Sequence, residues 1–123
     1  MNNDIHTIKE IIKHPTSELL QVKIGKLVRT TLPIILFYSL ITELEVKKLQ
    51  QDEYCKLTLD MNYPILKKVD PNISILENRT VNGHTRYYSK PVKFIDDNYL
   101  ISSEWYERNL EYYVRWLKRK VNI

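Results

Sequence analysis

The sequence predicts an α+β fold in which N-terminal helices precede a small antiparallel sheet of hairpins and a C-terminal amphipathic helix. Apolar residues recur at helical spacing up to residue 69, alternate with polar residues after Pro71, and return to helical spacing after residue 102. A length of 123 residues suits one domain, so we expect a single domain over residues 1–123. Its expected parts are a mainly helical 1–70, β-hairpins in 71–101 and a final helix in 102–121.

Two helices are predicted before residue 40. The isoleucines of residues 4–14 share one face of a helix that Pro15 ends. Thr16 or Ser17 can cap a second helix, whose apolar stripe continues to Ile35 with a kink expected at Pro33. This helix is apolar almost all round, which predicts that it forms the centre of the hydrophobic core.

Three shorter helices are predicted between residues 42 and 70. Thr42 and Glu45 have the spacing of a capping box, in which each side chain accepts a hydrogen bond from the other residue's backbone. Asp52 can cap the next helix. Asn62 can cap the one after it, with Pro64 in the first turn, where a missing N–H costs little.

Two β-hairpins are predicted before the last helix. Asn82-Gly83 favours the left-handed backbone of a tight hairpin turn, and Asp96-Asp97-Asn98 is typical of a second turn. Pro91 separates the two hairpins and indicates an edge or a bend. The expected strands are 75–81 and 84–89 in the first hairpin, and 92–95 and 99–101 in the second.

A long amphipathic helix is predicted at the C-terminus. Ser102 or Ser103 can cap it, and basic residues in its last turn suit the helix dipole. The pairs Glu104–Arg108 and Glu111–Arg115 have the spacing of supportive ion pairs. The inward stripe is expected to be Tyr106, Leu110, Tyr113, Leu117 and Val121. A neighbouring aromatic row is expected from Trp105, Tyr112 and Trp116.

The composition excludes several classes of protein. One cysteine excludes an internal disulfide framework and a cysteine-based zinc site, and two glycines leave no glycine-rich phosphate loop. No signal peptide is recognisable, and the longest apolar run is about half of the ~20 residues that a membrane span needs. We therefore expect a cytoplasmic protein without a membrane partner. Abundant Ile, Lys and Asn without any Ala indicate an AT-rich source, such as a bacterium, a phage or another mobile element.

The positive charge is concentrated in the second half of the chain. Residues 1–62 carry eight basic and eight acidic side chains, whereas residues 63–123 carry eleven and seven and account for the whole net charge of +4. The same half holds seven of the nine tyrosines and both tryptophans. Basic residues interleaved with aromatic ones are typical of a nucleic-acid surface, and equally of a solvated basic face beside an aromatic core.

Residues 56–69 resemble the turn and second helix of helix-turn-helix DNA-binding proteins. That family forms its turn from a Leu-Gly-Val-Ser run, and the corresponding run is Leu59-Asp60-Met61-Asn62. Leu66 and Val69 stand at the positions that lock the recognition helix. Lys56 replaces the usual small residue, and Asp60 replaces the turn glycine. Aspartate, like glycine, can enter the left-handed region that the turn requires.

A helical unit followed by an Asn-Gly hairpin is similar in order to winged-helix proteins, in which the hairpin forms the wing. The resemblance implies a non-catalytic protein that binds double-stranded DNA, such as a transcription regulator or an accessory factor. The start of the recognition helix would contact base edges, and basic side chains would contact phosphates. The residues expected at the DNA are Asn62, Tyr63, Lys67, Lys68, Arg79, His84 and Arg86.

A small protein-binding module or inhibitor is the alternative prediction. Tyrosine, tryptophan and arginine are enriched at binding hot spots, and the aromatic row of the last helix exceeds what one inward stripe needs. This surface would bind a protein partner or a second copy of the chain. Its expected residues are Trp105, Tyr112, Arg115, Trp116 and Arg119.

A metal-dependent nuclease is a third and weaker interpretation. It needs carboxylates and a lysine that converge on a sheet, for which Glu77, Asp96, Asp97 and Lys93 are the candidates. The three histidines are scattered, and Cys55 has no histidine near it in the sequence. We therefore expect no catalysis, no metal and no cofactor.

Overall fold

Seven helices and five short strands follow one another through residues 3–123, the part of the chain that the computed structural model describes. The expected α+β class, with helices first, a small antiparallel sheet and a final helix, is confirmed. A 3₁₀ turn at Glu107–Asn109 precedes the last helix. The elements are α1 (Asn3–Lys13), α2 (Thr16–Leu19), α3 (Ile24–Phe37), α4 (Glu43–Lys48), α5 (Asp52–Leu59), β1 (Leu66–Lys68), α6 (Ile75–Arg79), β2 (Thr80–Val81), β3 (His84–Thr85), β4 (Val92–Phe94), β5 (Asp97–Ile101) and α7 (Leu110–Lys120).

The main sheet has three antiparallel strands, with β5 between β1 and β4. Leu66 lies opposite Ile101 in the first pair, and Val92 lies opposite Tyr99 in the second. β2 and β3 form a separate two-stranded ribbon. The chain after the ribbon returns to the sheet, where the N–H of Tyr88 donates to the carbonyl of Ile101 at 2.8 Å.

The hydrophobic core is built around α3. Val28, Leu32 and Ile35 are fully buried on this helix. α7 contributes Tyr113, whose hydroxyl is hydrogen-bonded to the hydroxyl of Thr31 at 2.7 Å. Burial raises the pKa of Tyr113 well above its usual range, so the phenol stays neutral. α3 also packs along β4, which places its exposed side next to one edge of the sheet.

The single helix expected from residue 16 to Ile35 is in fact two helices. α2 ends at Leu19, and a turn precedes the start of α3 at Ile24. Pro33 lies inside α3, which continues to Phe37. The proline removes one backbone hydrogen bond, but burial of the apolar face holds the helix together.

The predicted recognition helix over residues 62–69 is wrong, because this segment contains β1. The N–H of Leu66 donates to the carbonyl of Leu49 at 3.1 Å, and the N–H of Val69 donates to the carbonyl of Asn98 at 2.8 Å. Both acceptors are distant in sequence, so the local apolar pattern did not reveal them. Asp60 does adopt the left-handed backbone, with φ of 55°, but it ends α5 without starting a second helix.

The strand predicted at residues 75–81 is mostly helix α6. The hydroxyl of Ser74 accepts from the N–H of Glu77 at 3.0 Å, and the carboxylate of Glu77 accepts from the N–H of Ser74 at 3.4 Å. This capping box starts the helix and leaves only β2 extended. The Asn82-Gly83 turn is confirmed, with φ of 50° and 83° at the two residues.

The second hairpin turns earlier than expected. Its loop is Ile95-Asp96, because Phe94 pairs with Asp97 across it. Ile95 has a φ of 55°, a left-handed conformation that is unusual for a β-branched residue. The tip of this hairpin is therefore a place where the backbone is strained.

The last helix begins at Leu110 and not at Ser102. Ser102 instead continues the sheet, where it lies opposite Tyr87 and its N–H donates to the carbonyl of Ile65 at 2.8 Å. Tyr106, expected to point inward, is exposed, whereas the other four residues of the inward stripe are buried. The predicted start of the helix is wrong because serines also suit strand ends, which the local pattern does not distinguish.

One of the two predicted ion pairs of this region is confirmed. Arg115 lies 3.0 Å from Glu111 within α7. The predicted pair Glu104–Arg108 is wrong, because no helix includes both residues. Glu104 instead pairs with Arg86, and Arg108 pairs with Asp60 at 3.2 Å.

Candidate functional site

Four of the residues predicted at the DNA surround one groove beside β1. This groove, which we call the hairpin groove, has a volume of about 510 Å³. It brings together Asn62, Tyr63, Lys67 and Lys68, although not on a helix. The complete lining is Gln50, Asp52, Asn62, Tyr63, Pro64, Leu66, Lys67, Lys68, Val81, Asn82 and Tyr87.

The two lysines of the hairpin groove are already bound within the protein. The ammonium of Lys67 donates to the carbonyl of Asn78 at 2.5 Å and lies 6.0 Å from the centre of the Tyr87 ring. The ammonium of Lys68 lies 3.3 Å from the carboxylate of Asp97. Neither lysine offers an uncommitted charge to a phosphate.

The two arginines predicted at the DNA also have internal partners. Nε of Arg79 donates to the carbonyl of Tyr87 at 2.8 Å. The guanidinium of Arg86 pairs with Glu104 and lies 4.9 Å from the centre of the Tyr63 ring. The hydrogen bond that Arg86 donates to Glu104 raises the pKa of Arg86, which keeps the pair charged.

Of the remaining three predicted DNA residues, His84 and Asn62 are exposed, whereas Tyr63 is half-buried beside Arg86. His84 lies next to the turn of the β2–β3 ribbon. Asn62 accepts a hydrogen bond from Lys56 at 3.3 Å through its side-chain oxygen. Because Asn62 no longer starts a recognition helix, the predicted basis for its contact with base edges is removed.

Asn78 is a structural residue of this region that the sequence reasoning missed. It is fully buried, and its amide oxygen accepts from the N–H of Asp70 at 2.8 Å. Its amide nitrogen donates to the carbonyls of Asp70 and Ser74 at 3.0 and 2.9 Å. Asn78 thereby fastens α6 to the end of β1, and its own carbonyl holds Lys67. A buried amide in a loop-like stretch carries no local sequence signal.

The prediction that Trp116 binds a partner is wrong, because this side chain is 1% exposed. Its indole N–H donates to the carboxylate of Glu45 at 2.8 Å, and the Tyr54 hydroxyl donates to the same oxygen at 2.5 Å. Burial, helped by Glu45, raises the pKa of Tyr54 to about 12. Thr42 accepts from the N–H of Glu45 at 3.1 Å, but the carboxylate is directed to these core partners.

The other residues of the predicted partner surface differ in their exposure. Tyr112, Arg115 and Arg119 are exposed along α7, and Arg115 lies 5.9 Å from the centre of the Tyr112 ring. Trp105 is half-buried and donates from its indole to the carbonyl of Ser102 at 2.7 Å. The predicted surface is therefore divided between core and solvent.

The candidate nuclease residues do not assemble. Asp97 pairs with Lys68, and Glu77 belongs to the capping box of α6. Among residues 3–123 there is no group of three or more His, Cys, Asp and Glu side chains placed to hold a metal ion. Cys55 is buried beneath β1, and this burial raises the pKa of its thiol to about 11.

A second surface lies where α3 meets β4 and the segment before it. Two adjoining cavities of about 420 and 440 Å³ share Pro33, Lys90 and Val92, and together they form one depression that we call the α3–β4 trough. Its lining is Asp4, Arg29, Pro33, Ile34, Phe37, Tyr38, Tyr88, Ser89, Lys90, Pro91, Val92, Lys93, Asn98 and Ile101.

The cations of the α3–β4 trough have no acidic partner, although Nε of Arg29 donates to the carbonyl of Gly25 at 3.2 Å. Arg29, Lys90 and Lys93 are exposed, as is Lys26 one turn before Arg29 on the same helix. Within the described chain none of these four side chains forms a salt bridge. Their charges are therefore available to an anion.

The distribution of acidic residues along the sequence does indicate this surface, although the comparison of residues 1–62 with residues 63–123 does not show it. The two longest stretches without Asp or Glu are residues 19–42 and 78–95. α3 lies in the first stretch, β4 lies in the second, and the fold packs the two against each other. Within these two stretches the charged side chains of α3 and β4 are all basic, and Asp4 is the acidic residue among those that line the trough.

Aromatic rings lie at both ends of the α3–β4 trough. Phe37 is 61% exposed and meets Tyr38 edge-on, with ring centres 4.9 Å apart. At the other end the guanidinium of Arg29 lies 5.7 Å from the centre of the Tyr88 ring. Tyr38 donates to the carboxylate of Asp4 at 3.4 Å. The trough thus combines cations at its rim with apolar and aromatic surface.

No helix within residues 3–123 has both the length and the apolar character required to cross a bilayer. Comparison of the chain with protein-family models, curated proteins and solved structures gave no match. The geometry and chemistry of the hairpin groove and of the α3–β4 trough are therefore the basis for proposing a function.

Proposed function

We propose that this protein binds DNA without catalysis and that the α3–β4 trough is the surface that contacts it. The carrying observation is that Arg29, Lys90 and Lys93 are exposed on one surface without salt-bridge partners. Phosphates attract such side chains because contact releases the counterions condensed on the nucleic acid. A cytoplasmic role as a regulator or accessory factor follows from DNA binding.

The hairpin groove is a weaker candidate for the same function. Its two lysines, and the arginines predicted to bind DNA with them, would have to leave internal partners before they could contact phosphates. Lys68 would leave Asp97, and Arg86 would leave Glu104, so each new contact would replace an existing one. The net gain in binding free energy is smaller than for a cation that is already free.

The second candidate function is binding of an acidic protein partner at the α3–β4 trough. The same three cations without salt-bridge partners and the exposed Phe37 ring support it, since such surfaces also attract acidic segments with apolar side chains. This replaces the predicted protein-binding surface on the last helix, where Trp116 is buried.

The test is a gel shift with a random-sequence duplex between 50 and 200 mM salt. We expect the affinity to fall steeply with salt, and each removed phosphate contact to lower the slope by about 0.9. The double variant Lys90→Ala with Lys93→Ala should lower the slope by nearly two. Lys67→Ala with Lys68→Ala removes the same charge from the hairpin groove and should leave the slope almost unchanged.

Two results would contradict the proposal. A slope lowered only by the Lys67 and Lys68 substitutions would assign the DNA to the hairpin groove. Absence of any salt-dependent shift in the wild-type protein would exclude binding of duplex DNA. Circular dichroism of both double variants controls for loss of the fold.

A further inference from the structure

We infer that the α3–β4 trough accepts unpaired bases, so that single-stranded DNA binds more tightly than duplex. This inference depends on the proposed function and specifies the form of DNA that the surface prefers. It is carried by three properties of the trough: its length, the exposed aromatic and apolar surface along it, and its cations.

The trough offers a duplex little beyond its cations. Its walls are α3 and the strand β4 that packs against it, and apolar side chains lie between them. In a duplex the base faces are stacked inside the double helix, whereas an unpaired strand can place its bases on this apolar surface.

The floor and ends of the trough suit nucleobases better than a phosphate backbone. Pro33, Ile34 and Val92 provide an apolar floor. Phe37 presents an exposed ring at one end, and Tyr88 lies beneath Arg29 at the other. Bases stack on such rings with little regard to sequence, but in a duplex their faces are already covered by neighbouring base pairs.

The length of the trough matches a short stretch of one strand. Arg29, Pro33 and Phe37 lie one helical turn apart along the same face of α3. The nine residues from Arg29 to Phe37, which are eight steps of the helix, span about 12 Å. At about 3.4 Å for each stacked nucleotide, this length holds roughly three nucleotides. Arg29, Lys90 and Lys93 supply about one cation for each phosphate.

The experiment compares three labelled probes by fluorescence anisotropy at about 150 mM salt. They are a twelve-residue oligothymidylate, a duplex of the same length, and a poly-glutamate peptide. We expect the oligothymidylate to bind at least tenfold more tightly than the duplex, because stacking adds to the shared phosphate contacts.

The decisive variant is Phe37→Leu, which keeps an apolar side chain but removes the stacking ring. It should weaken oligothymidylate binding about fivefold or more and leave duplex binding unchanged. Phe37→Trp should restore the affinity. Leu76→Ala is the matched control, because Leu76 is also 61% exposed and lies outside the trough. Both positions are exposed, so neither change should affect folding.

The outcomes separate the inference from the proposed function. Equal binding of single strand and duplex, with no effect of Phe37→Leu, would overturn the inference while DNA binding stands. No salt-dependent binding of either DNA would overturn both. Poly-glutamate that binds as tightly as oligothymidylate and displaces it would overturn the inference in favour of an acidic protein partner.

Discussion

The hairpin groove and the α3–β4 trough contain similar numbers of basic side chains but differ in what those side chains do. Lys67, Lys68 and Arg86 each have a partner inside the protein. Lys90 and Lys93 have no salt-bridge partner within the described residues. The comparison shows that available charge depends on what surrounds a cation in space. The same residue type therefore stabilises the fold in one place and can bind a ligand in the other.

The largest expected effect is on stability. It concerns Asn78, the buried residue that joins α6 to the end of β1. Asn78→Ala removes the hydrogen bonds that hold Asp70 and Ser74 and leaves buried backbone groups without partners. We expect the free energy of unfolding to fall by about 3 kcal/mol, measured by urea denaturation. The salt slope of DNA binding should not change, because the trough is separate from this network.

Asn72→Ala is the control for this prediction. Asn72 is exposed nearby, and only its backbone N–H makes a hydrogen bond, to Asp70 at 2.9 Å. Equal destabilisation by the two substitutions would mean that Asn78 does not have the structural role assigned to it.

A paired substitution tests the comparison directly. Lys67→Met should lower the free energy of unfolding by about 1 kcal/mol, because the buried carbonyl of Asn78 loses its donor. Lys93→Met should leave stability nearly unchanged and weaken DNA binding. Thermal unfolding and gel shifts on both variants measure the two effects. If Lys67→Met weakened DNA binding and Lys93→Met did not, the assignment of the two regions would be reversed.

Relief of backbone strain is expected to give a smaller effect of opposite sign. Ile95→Gly should raise the free energy of unfolding by about 1 kcal/mol, because glycine adopts a φ of 55° without steric cost. The DNA salt slope should stay the same, since Lys93 keeps its charge and place. Ile73→Gly is the control at an exposed isoleucine without positive φ, and it should be neutral or destabilising.

The smallest effect at neutral pH concerns the thiol of Cys55, which becomes important only at alkaline pH. Cys55 donates to the carbonyl of Leu49 at 3.3 Å and accepts from the N–H of Ile65 at 3.4 Å. Its folded pKa of about 11 is above the value of about 8.5 in an unfolded chain. The stability contributed by the neutral thiol is therefore complete below pH 8.5 and is lost as the pH rises toward 11.

Thiol labelling measures this last prediction. A disulfide reagent should modify Cys55 slowly at about pH 8 in the native protein and rapidly in denaturant. A Cys55→Ala variant should lose less stability than the wild type between pH 9 and about 11. Rapid labelling under native conditions would show that the thiol is accessible and that the groove opens.

The parts of the fold that depend on near neighbours could be predicted from the sequence. The Asn82-Gly83 turn follows from backbone preference, and the Glu111–Arg115 pair follows from helical spacing. Residues 62–69 could not be assigned in this way. Ile65, Leu66 and Val69 suit a helix or a buried strand, and the hydrogen bonds to Leu49 and Asn98 decide between them.

The candidate site was only partly predictable for the same reason. The sequence indicates an excess of positive charge after Tyr63 but does not show that Glu104 neutralises Arg86. In the sequence, Trp116 is an aromatic residue beyond those that the inward stripe needs. Its hydrogen-bond partner Glu45 lies 71 residues away in the chain. Sequence spacing therefore assigns side chains with distant partners poorly. The stretches without acidic residues, in contrast, still indicate a basic surface in the folded protein.

Pro33 also leaves one backbone acceptor of α3 without its helical donor. Because proline has no N–H, the carbonyl of Arg29 receives no hydrogen bond from residue 33, one turn further along the helix. A carbonyl in that position needs a donor from solvent or from a ligand. A base bound in the trough as proposed can supply that donor directly or through a bridging water.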